Sequence, residues 1–129
     1  MNNTFLIRLP AIIFAIVIFV LSQIPGNILP PKVFDLQDKL VHLIIYFLFG
    51  ISLSIATSTI ENKRKRYFLI LLLGACYALF DEIHQLYVPG RSCDFFDFIF
   101  DSFGVSISLF FDNKIRRFLK KHFRRFTNE

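Results

Sequence analysis

The chain has 129 residues, of which 54% are apolar and 18 are phenylalanine, and its formal net charge is +5. A chain this short cannot bury so much apolar surface in a water-soluble core, so the composition excludes an ordinary soluble domain and indicates one membrane-embedded unit. The sequence carries no recognisable nucleic-acid-binding fold, so we expect the lipid bilayer and no nucleic acid as partner.

Four apolar blocks follow one another, and each approaches the length that spans about 30 Å of hydrocarbon at about 1.5 Å per residue. They cover residues 5–24, 40–58, 67–88 and 95–111. In lipid, helices satisfy their own backbone groups. The sequence therefore predicts an all-α fold, with a four-helix transmembrane bundle in residues 1–111 and a basic amphipathic C-terminal helix in residues 112–129.

The first block can also be interpreted as a secretory signal, because Arg8 precedes an apolar run. The segment LSQIPG that follows contains no small-x-small cleavage pattern, and Pro10 interrupts the start of the run. We therefore expect a retained membrane helix rather than a cleaved signal peptide.

Basic residues are concentrated in ENKRKR, between the second and third blocks, and in the segment after residue 111. In the loops on the opposite side, Lys32, Lys39 and Arg91 are offset by Asp35, Asp38 and Asp94. Lysine and arginine near the ends of membrane helices stay in the cytoplasm. The pattern predicts a multi-pass protein of the inner (cytoplasmic) membrane with both termini in the cytoplasm.

The C-terminal tail has apolar residues at helical spacing between its basic ones: Ile115, Phe118, Leu119, Phe123 and Phe126. This pattern is typical of an amphipathic helix that lies on the anionic inner leaflet. The alternative is a tail that only fixes the topology and has no partner of its own.

Polar residues form stripes on three of the predicted helices. Asp38, His42 and Tyr46 are four residues apart. Asp94, Asp97 and Asp101 follow a three-and-four spacing, and Asp81 shares a face with His84, Gln85 and Tyr77. Ionisable groups in a membrane helix are costly unless they face a partner or a wet cavity. We therefore expect the stripes to converge in one polar pocket near the outer surface.

Two residues of this region are harder to place. Arg91, at the rim, can neutralise the acids or bind a phosphate or carboxylate. Glu82 points about a quarter-turn away from Asp81. It therefore faces the first helix or reaches the rim, where it meets Arg91 or Lys39.

Three motifs resemble the VanZ-like family of small bacterial integral membrane proteins. They are DKLVHLIIYFLFG (38–50), DEIHQLYVPGRSCDFFD (81–97) and DSFG (101–104). The LSQIPG segment after the first apolar block also resembles this family. The family's motif positions are Asp38, Lys39, His42, Tyr46, Asp81, Glu82, Gln85, Arg91 and Asp97. Two positions depart from the family pattern: Asp101 stands where an asparagine is expected, and Ser108 where a glycine is usual.

The resemblance implies a cell-envelope function, because the family is named for a protein of glycopeptide-resistance clusters that modestly raises tolerance to teicoplanin. The first hypothesis is a binding protein whose pocket recognises a lipid-linked envelope precursor or a glycopeptide. The second is an enzyme, a hydrolase or transferase acting on a lipid phosphate, with a divalent metal held by carboxylates and by His42 and His84. The third is that these groups only hold the helices together.

The candidate pocket residues are Asp38, His42, Tyr46, Asp81, Glu82, Gln85, Arg91, Asp97 and Asp101. The sequence assigns no catalytic role, metal or cofactor among them.

Overall fold

The computed structural model describes the backbone of residues 3–127 and the side chains of residues 5–122. Its helices are α1 (Asn3–Ser22), α2 (Gln37–Ala56), α3 (Lys63–Gln85), α4 (Phe95–Ser108) and α5 (Asp112–Thr127), with short 3₁₀ turns at Gly26–Ile28 and Leu109–Phe111. The described residues contain no β-strand. The prediction of an all-α helical bundle is confirmed.

Three of the helices are long and apolar enough to cross a membrane. The spans are Phe5–Ser22, Gln37–Ala56 and Lys63–Gln85, with mean hydropathies of 2.6, 1.9 and 1.5. Large apolar side chains on them point away from the rest of the protein, among them Ile16, Val20 and Phe68. Such a surface is unfavourable in water and favourable against lipid tails, so this is a membrane protein.

Helix α4 has 14 residues and ends before the predicted fourth apolar block does. It lies directly against α2 because each helix has a glycine at the contact. A Cβ atom on Gly104 of α4 would lie 2.4 Å from the carbonyl oxygen of Leu43, and one on Gly50 of α2 would lie 2.3 Å from Ser108 Oγ. Small residues let membrane helices approach this closely. Together with the 3₁₀ turn, α4 therefore follows α2 for most of its length.

The apolar core lies where α1, α2, α3 and α4 meet. Its buried members are Ile18, Tyr46, Phe49, Leu53, Ile70, Ala78 and Val105. At one end of this core, which we call the acidic end, α2 and α4 begin and α1 and α3 end. At the other, the basic end, α2 and α4 end and α3 and α5 begin.

The basic end is closed by a buried ion pair between Arg66 and Asp112, both fully buried. Arg66 also donates from Nη1 to the carbonyl oxygen of Ile60 at 2.9 Å. Arg66 belongs to the ENKRKR segment that was expected to be a loop, but α3 already begins at Lys63, which carries Arg66 into the interior. The pair joins the start of α3 to the start of α5.

Helix α5 continues from the 3₁₀ turn without an intervening loop. Ile115 and Leu119 are half-buried and Phe118 is exposed. The side chains of Phe123 and Phe126 lie outside the described residues. The amphipathic membrane-surface role of this helix, and the division of the chain at residue 111, stay predictions.

Candidate functional site

The two loops at the acidic end pack tightly on each other. Gly26 N donates to the carbonyl oxygen of Pro89 at 2.9 Å. A Cβ atom on Gly26 would lie 1.7 Å from the carbonyl oxygen of Gly90, and Gly90 itself has a φ of 73°, where glycine is favoured. The Pro-Gly pairs of both loops are thus needed for this contact.

Arg91 strengthens the same loop contact. Its Nε donates to the carbonyl oxygen of Ile24 at 3.0 Å, and its Nη2 donates to that of Leu21 at 3.3 Å. A helix ends with carbonyl groups that lack partners inside the helix, and Arg91 pairs with one of these in α1, that of Leu21, and with one in the loop that follows, that of Ile24. In the described part of the chain it makes no ion pair with a carboxylate, unlike the arrangement considered from the sequence.

A cavity of about 590 Å³ lies beneath these loops, between α1, α2 and α3. Seven of the candidate residues line it: Asp38, His42, Tyr46, Asp81, Gln85, Arg91 and Asp97. Apolar side chains complete the wall, including Ile18, Val41 and Ile45. Glu82 and Asp101 are almost fully buried and are not part of the lining.

Four of the candidate residues form a compact group that we call the acidic cluster: His42, Asp81, Glu82 and Asp101. One ligand atom from each lies within 4.8 Å of those of the others. His42 Nδ1 is hydrogen-bonded to Asp101 Oδ1 at 2.9 Å and lies 4.0 Å from Glu82 Oε1. Helices α2, α3 and α4 therefore each contribute to one group, of which His42 and Asp81 line the cavity and Glu82 and Asp101 do not.

Glu82 is directed toward α4. Its Oε2 accepts a hydrogen bond from Asp94 N at 2.9 Å, at the point where α4 begins. Neither position considered from the sequence, against the first helix or at the rim with Arg91 or Lys39, is observed. The reason is the packing of α3 against α4, which the spacing within α3 alone does not specify.

Lys39 is the main cation of the acidic end. Its Nζ donates to Asp94 Oδ2 at 2.8 Å and to Asp97 Oδ1 at 2.9 Å, and it lies 3.5 Å from Asp38 Oδ2. The hydrogen bond from Lys39 holds the pKa of Asp94 below its usual value. Asp94 also accepts from Phe96 N at 2.8 Å and so caps α4. Lys39 is not among the candidate pocket residues predicted from the sequence, although its place in the DKLVH motif was a signal for it.

The family model VanZ/LLP1 matches residues 8–111. This chain belongs to the VanZ/LLP1 family. The match contains every candidate residue and confirms the family predicted from the three motifs. No curated protein and no solved structure matches this VanZ-like chain significantly.

His84 lies apart from the acidic cluster of this VanZ-like protein. Its Nδ1 is 3.3 Å from Ser22 Oγ and its Nε2 is 3.0 Å from Gln23 Nε2, so it joins α3 to the end of α1. The metal site with two histidines considered from the sequence does not form within the described residues, since the cluster contains His42 alone. Helix α3 presents Asp81 to the cluster and turns His84 toward α1.

Three buried polar atoms around the cluster have no hydrogen-bond partner within the described part of the chain: Tyr46 Oη, Glu82 Oε1 and Asp101 Oδ2. Buried polar atoms in folded proteins are nearly always paired, so unpaired ones call for a specific explanation. The site can accept a donor or a cation at these atoms, or it can exchange protons there.

Proposed function

We propose that this VanZ-like protein binds an amphiphilic component of the cell envelope in the cavity at the acidic end, and that this binding raises tolerance to glycopeptides of the teicoplanin type. The observation that carries the proposal is the mixed lining of the cavity. Its volume of about 590 Å³ falls within the range of about 300–1,000 Å³ in which small-molecule sites lie.

The lining suits a molecule with an apolar chain and a polar head. Ile18, Val41 and Ile45 offer an apolar wall, and His42 and Asp81 offer hydrogen-bonding groups next to it. A lipid-linked envelope precursor has this combination of parts. Apolar contacts with its chain supply affinity, and the polar groups at the end of the cavity determine its orientation.

The same proposal places the acidic end outside the cytoplasmic membrane. Basic residues are concentrated at the opposite end, in the segment 61–66 and in α5, which the positive-inside rule assigns to the cytoplasm. Cys93 is exposed in the loop between α3 and α4, whereas Cys76 is exposed on the membrane-spanning part of α3.

These two cysteines allow a direct test of the orientation. With Cys76 replaced by serine, a membrane-impermeant maleimide added to intact cells should label Cys93. The matched control carries a single cysteine at Thr59→Cys, in the loop between α2 and α3, and should react only after permeabilisation. The opposite pattern would place the cavity on the cytoplasmic side and contradict the proposal.

Cavity filling tests the binding function. Ile45→Trp places an indole into the cavity without changing any charge, whereas Ile44→Trp on the same helix adds the same bulk on an exposed, lipid-facing position. Cells that express wild type or Ile44→Trp should tolerate more teicoplanin than cells with an empty vector. Cells that express Ile45→Trp at equal levels should not. Equal tolerance with both variants, or none with wild type, would refute the proposal.

The second candidate function is hydrolysis or transfer at a lipid phosphate. It is favoured by the 2.9 Å contact between His42 Nδ1 and Asp101 Oδ1, since a carboxylate that orients an imidazole is a common acid–base arrangement. Release of phosphate from a lipid phosphate by purified wild-type protein, and its absence with His42→Gln, would establish this alternative.

The contacts of the basic side chains at the acidic end favour the binding function over phosphoryl transfer. Lys39 is occupied by Asp94 and Asp97, and Lys32 donates to Asp38 at 2.8 Å. Two of the nitrogen atoms of Arg91 donate to carbonyl groups at and just after the end of α1. Transfer of a phosphoryl group needs positive charge at the phosphate oxygens. The lysine and arginine side chains described at the acidic end are directed elsewhere.

A further inference from the structure

We infer that the acidic cluster of His42, Asp81, Glu82 and Asp101 is a binding site for one divalent cation, with the hydroxyl group of Tyr46 beside it. His42 and Asp81 also line the cavity, whereas Glu82 and Asp101 are buried outside the lining, and the inference does not depend on the identity of the ligand in the cavity. It rests on four features, which are the spacing of the ligand atoms, the unpaired atoms, the local charge and the groups that orient His42.

The spacing of the ligand atoms suits a cation. One atom from each of the four residues lies within 4.8 Å of the others. Two oxygen ligands on opposite sides of a divalent cation, each at about 2.1–2.5 Å, are separated by about 4–5 Å. A single ion can therefore contact all four side chains after small rotations.

Unpaired atoms point to a missing partner. Glu82 Oε1 and Asp101 Oδ2 belong to the cluster, and Tyr46 Oη lies one turn along α2 from His42. Tyr46 is 1% exposed and still has no hydrogen-bond partner for its hydroxyl group within the described residues. A bound cation would pair with the two carboxylate oxygens, which both belong to the cluster, and one of its water ligands could serve the hydroxyl group.

The local charge also favours a cation, because three carboxylates surround a single basic side chain, His42. Asp81, Glu82 and Asp101 are buried, and like charges this close repel one another strongly. Within the described residues, neither a lysine nor an arginine makes an ion pair with any of them, since Lys39 contacts Asp38, Asp94 and Asp97. A divalent cation removes this repulsion and compensates for the burial of the carboxylates.

The histidine lies between carboxylates on both sides of its ring, an arrangement similar to that of a metal ligand. Its Nδ1 faces the cluster, and its Nε2 lies 3.8 Å from Asp97 Oδ2. Asp97 is in turn fixed by Lys39 at 2.9 Å. Histidine ligands usually direct their second ring nitrogen toward a carboxylate, which fixes the tautomer and the orientation of the ring.

The donor set indicates the class of ion. Three carboxylates and one imidazole suit the hard ion Mn²⁺, which prefers oxygen ligands, and the borderline ion Zn²⁺. The soft ion Cu⁺ prefers thiolate and thioether ligands, and the cluster contains neither.

Titration with Mn²⁺ tests the inference. Full-length protein is purified in detergent, stripped with a chelator and titrated while free Mn²⁺ is followed by electron paramagnetic resonance. We expect one Mn²⁺ per chain, displaced by Zn²⁺. Asp101→Asn should weaken binding by more than about tenfold, since loss of an outer partner alone weakens metal binding about 10–100-fold. Asp35→Asn changes the same charge in an exposed loop of the same end and should leave the affinity unchanged.

Three results would overturn the site: no Mn²⁺ bound by wild type at up to about 1 mM, the weak end of protein cation sites; unchanged affinity in Asp101→Asn; or an equal loss in Asp35→Asn. Size-exclusion chromatography shows whether Asp101→Asn is folded. If it is not folded, Glu82→Gln is used instead. In that case the melting temperature of the wild-type protein must also rise when Mn²⁺ is added, and no rise would refute the site.

Discussion

The two ends of the bundle both bury charge, but they do so differently. At the basic end, Arg66 faces one carboxylate, Asp112, and the guanidinium group also donates to a carbonyl oxygen. At the acidic end, His42 faces Asp101 and Glu82, and buried oxygen atoms remain without partners within the described residues. A charge that only joins helices needs one matched counter-charge, so the surplus at the acidic end indicates a function beyond cohesion.

This contrast has an energetic meaning. Membrane helices associate well through small residues, as Gly50 and Gly104 do here between α2 and α4. Unpaired buried polar groups cost free energy and persist where function requires them. The basic end should therefore lose stability when its charges are changed, and the acidic end should lose binding.

The largest effect is expected at the buried ion pair. Arg66→Met leaves Asp112 as an unpaired buried charge, which should lower the free energy of unfolding by about 3–5 kcal/mol. Unfolding in mixed detergent micelles measures this change. Arg64→Met, two residues earlier on the exposed face of α3, is the control and should have little effect. The double variant Arg66→Met, Asp112→Leu should recover most of the loss, and equal losses in the two single variants would contradict the assignment.

The next effect concerns the loops over the cavity. Gly26→Ala places a methyl group 1.7 Å from the carbonyl oxygen of Gly90, and this overpacking should cost about 1–3 kcal/mol. Displaced loops also free Arg91 from α1, so limited trypsin digestion should cut after Arg91 faster than in wild type. Asn27→Ala changes an exposed neighbour and should leave cleavage unchanged. Slow cleavage in both variants would mean that the loops do not depend on this contact.

Within the acidic cluster, a substitution is expected to raise the stability of the protein rather than lower it. Asp101→Asn keeps the oxygen that contacts His42 and removes a negative charge, so it should stabilise the chelator-stripped protein by about 0.5–2 kcal/mol. With Mn²⁺ present, wild type should become the more stable of the two. Melting temperatures with and without the ion test both statements. Destabilisation of the stripped protein by this change would show that the cluster serves cohesion after all.

The smallest effect is expected at the exposed pair of the basic end. Arg116 Nη2 donates to Glu61 Oε2 at 2.9 Å, and this hydrogen bond lowers the pKa of Glu61. A lowered pKa in the folded state means that the contribution is present above the unfolded pKa and is lost as the pH falls. Because Glu61 is exposed, Glu61→Gln should not measurably change unfolding at neutral pH. A loss comparable to that of Arg66→Met would remove the distinction between buried and exposed pairs.

The sequence predicted the membrane class, the helices and the family because these depend on local properties. Apolar length identified the spans of α1, α2 and α3, and helical spacing placed His42 and Tyr46 on one face of α2. It did not predict the partners of single side chains. Glu82 contacts Asp94 N, Arg91 contacts carbonyl groups at and just after the end of α1, and His84 contacts Ser22 and Gln23.

By itself the sequence determined which segments lie in the lipid bilayer and which face of each helix is polar, since composition and the 3.6-residue period are local properties. Only the tertiary structure decided which polar faces meet, because the rotation and depth of each helix depend on its packing against the others. Gly104 against Leu43 and Gly26 against Gly90 set these positions here. For the same reason Arg66 and Asp112, 46 residues apart, form a buried pair that no local pattern indicated.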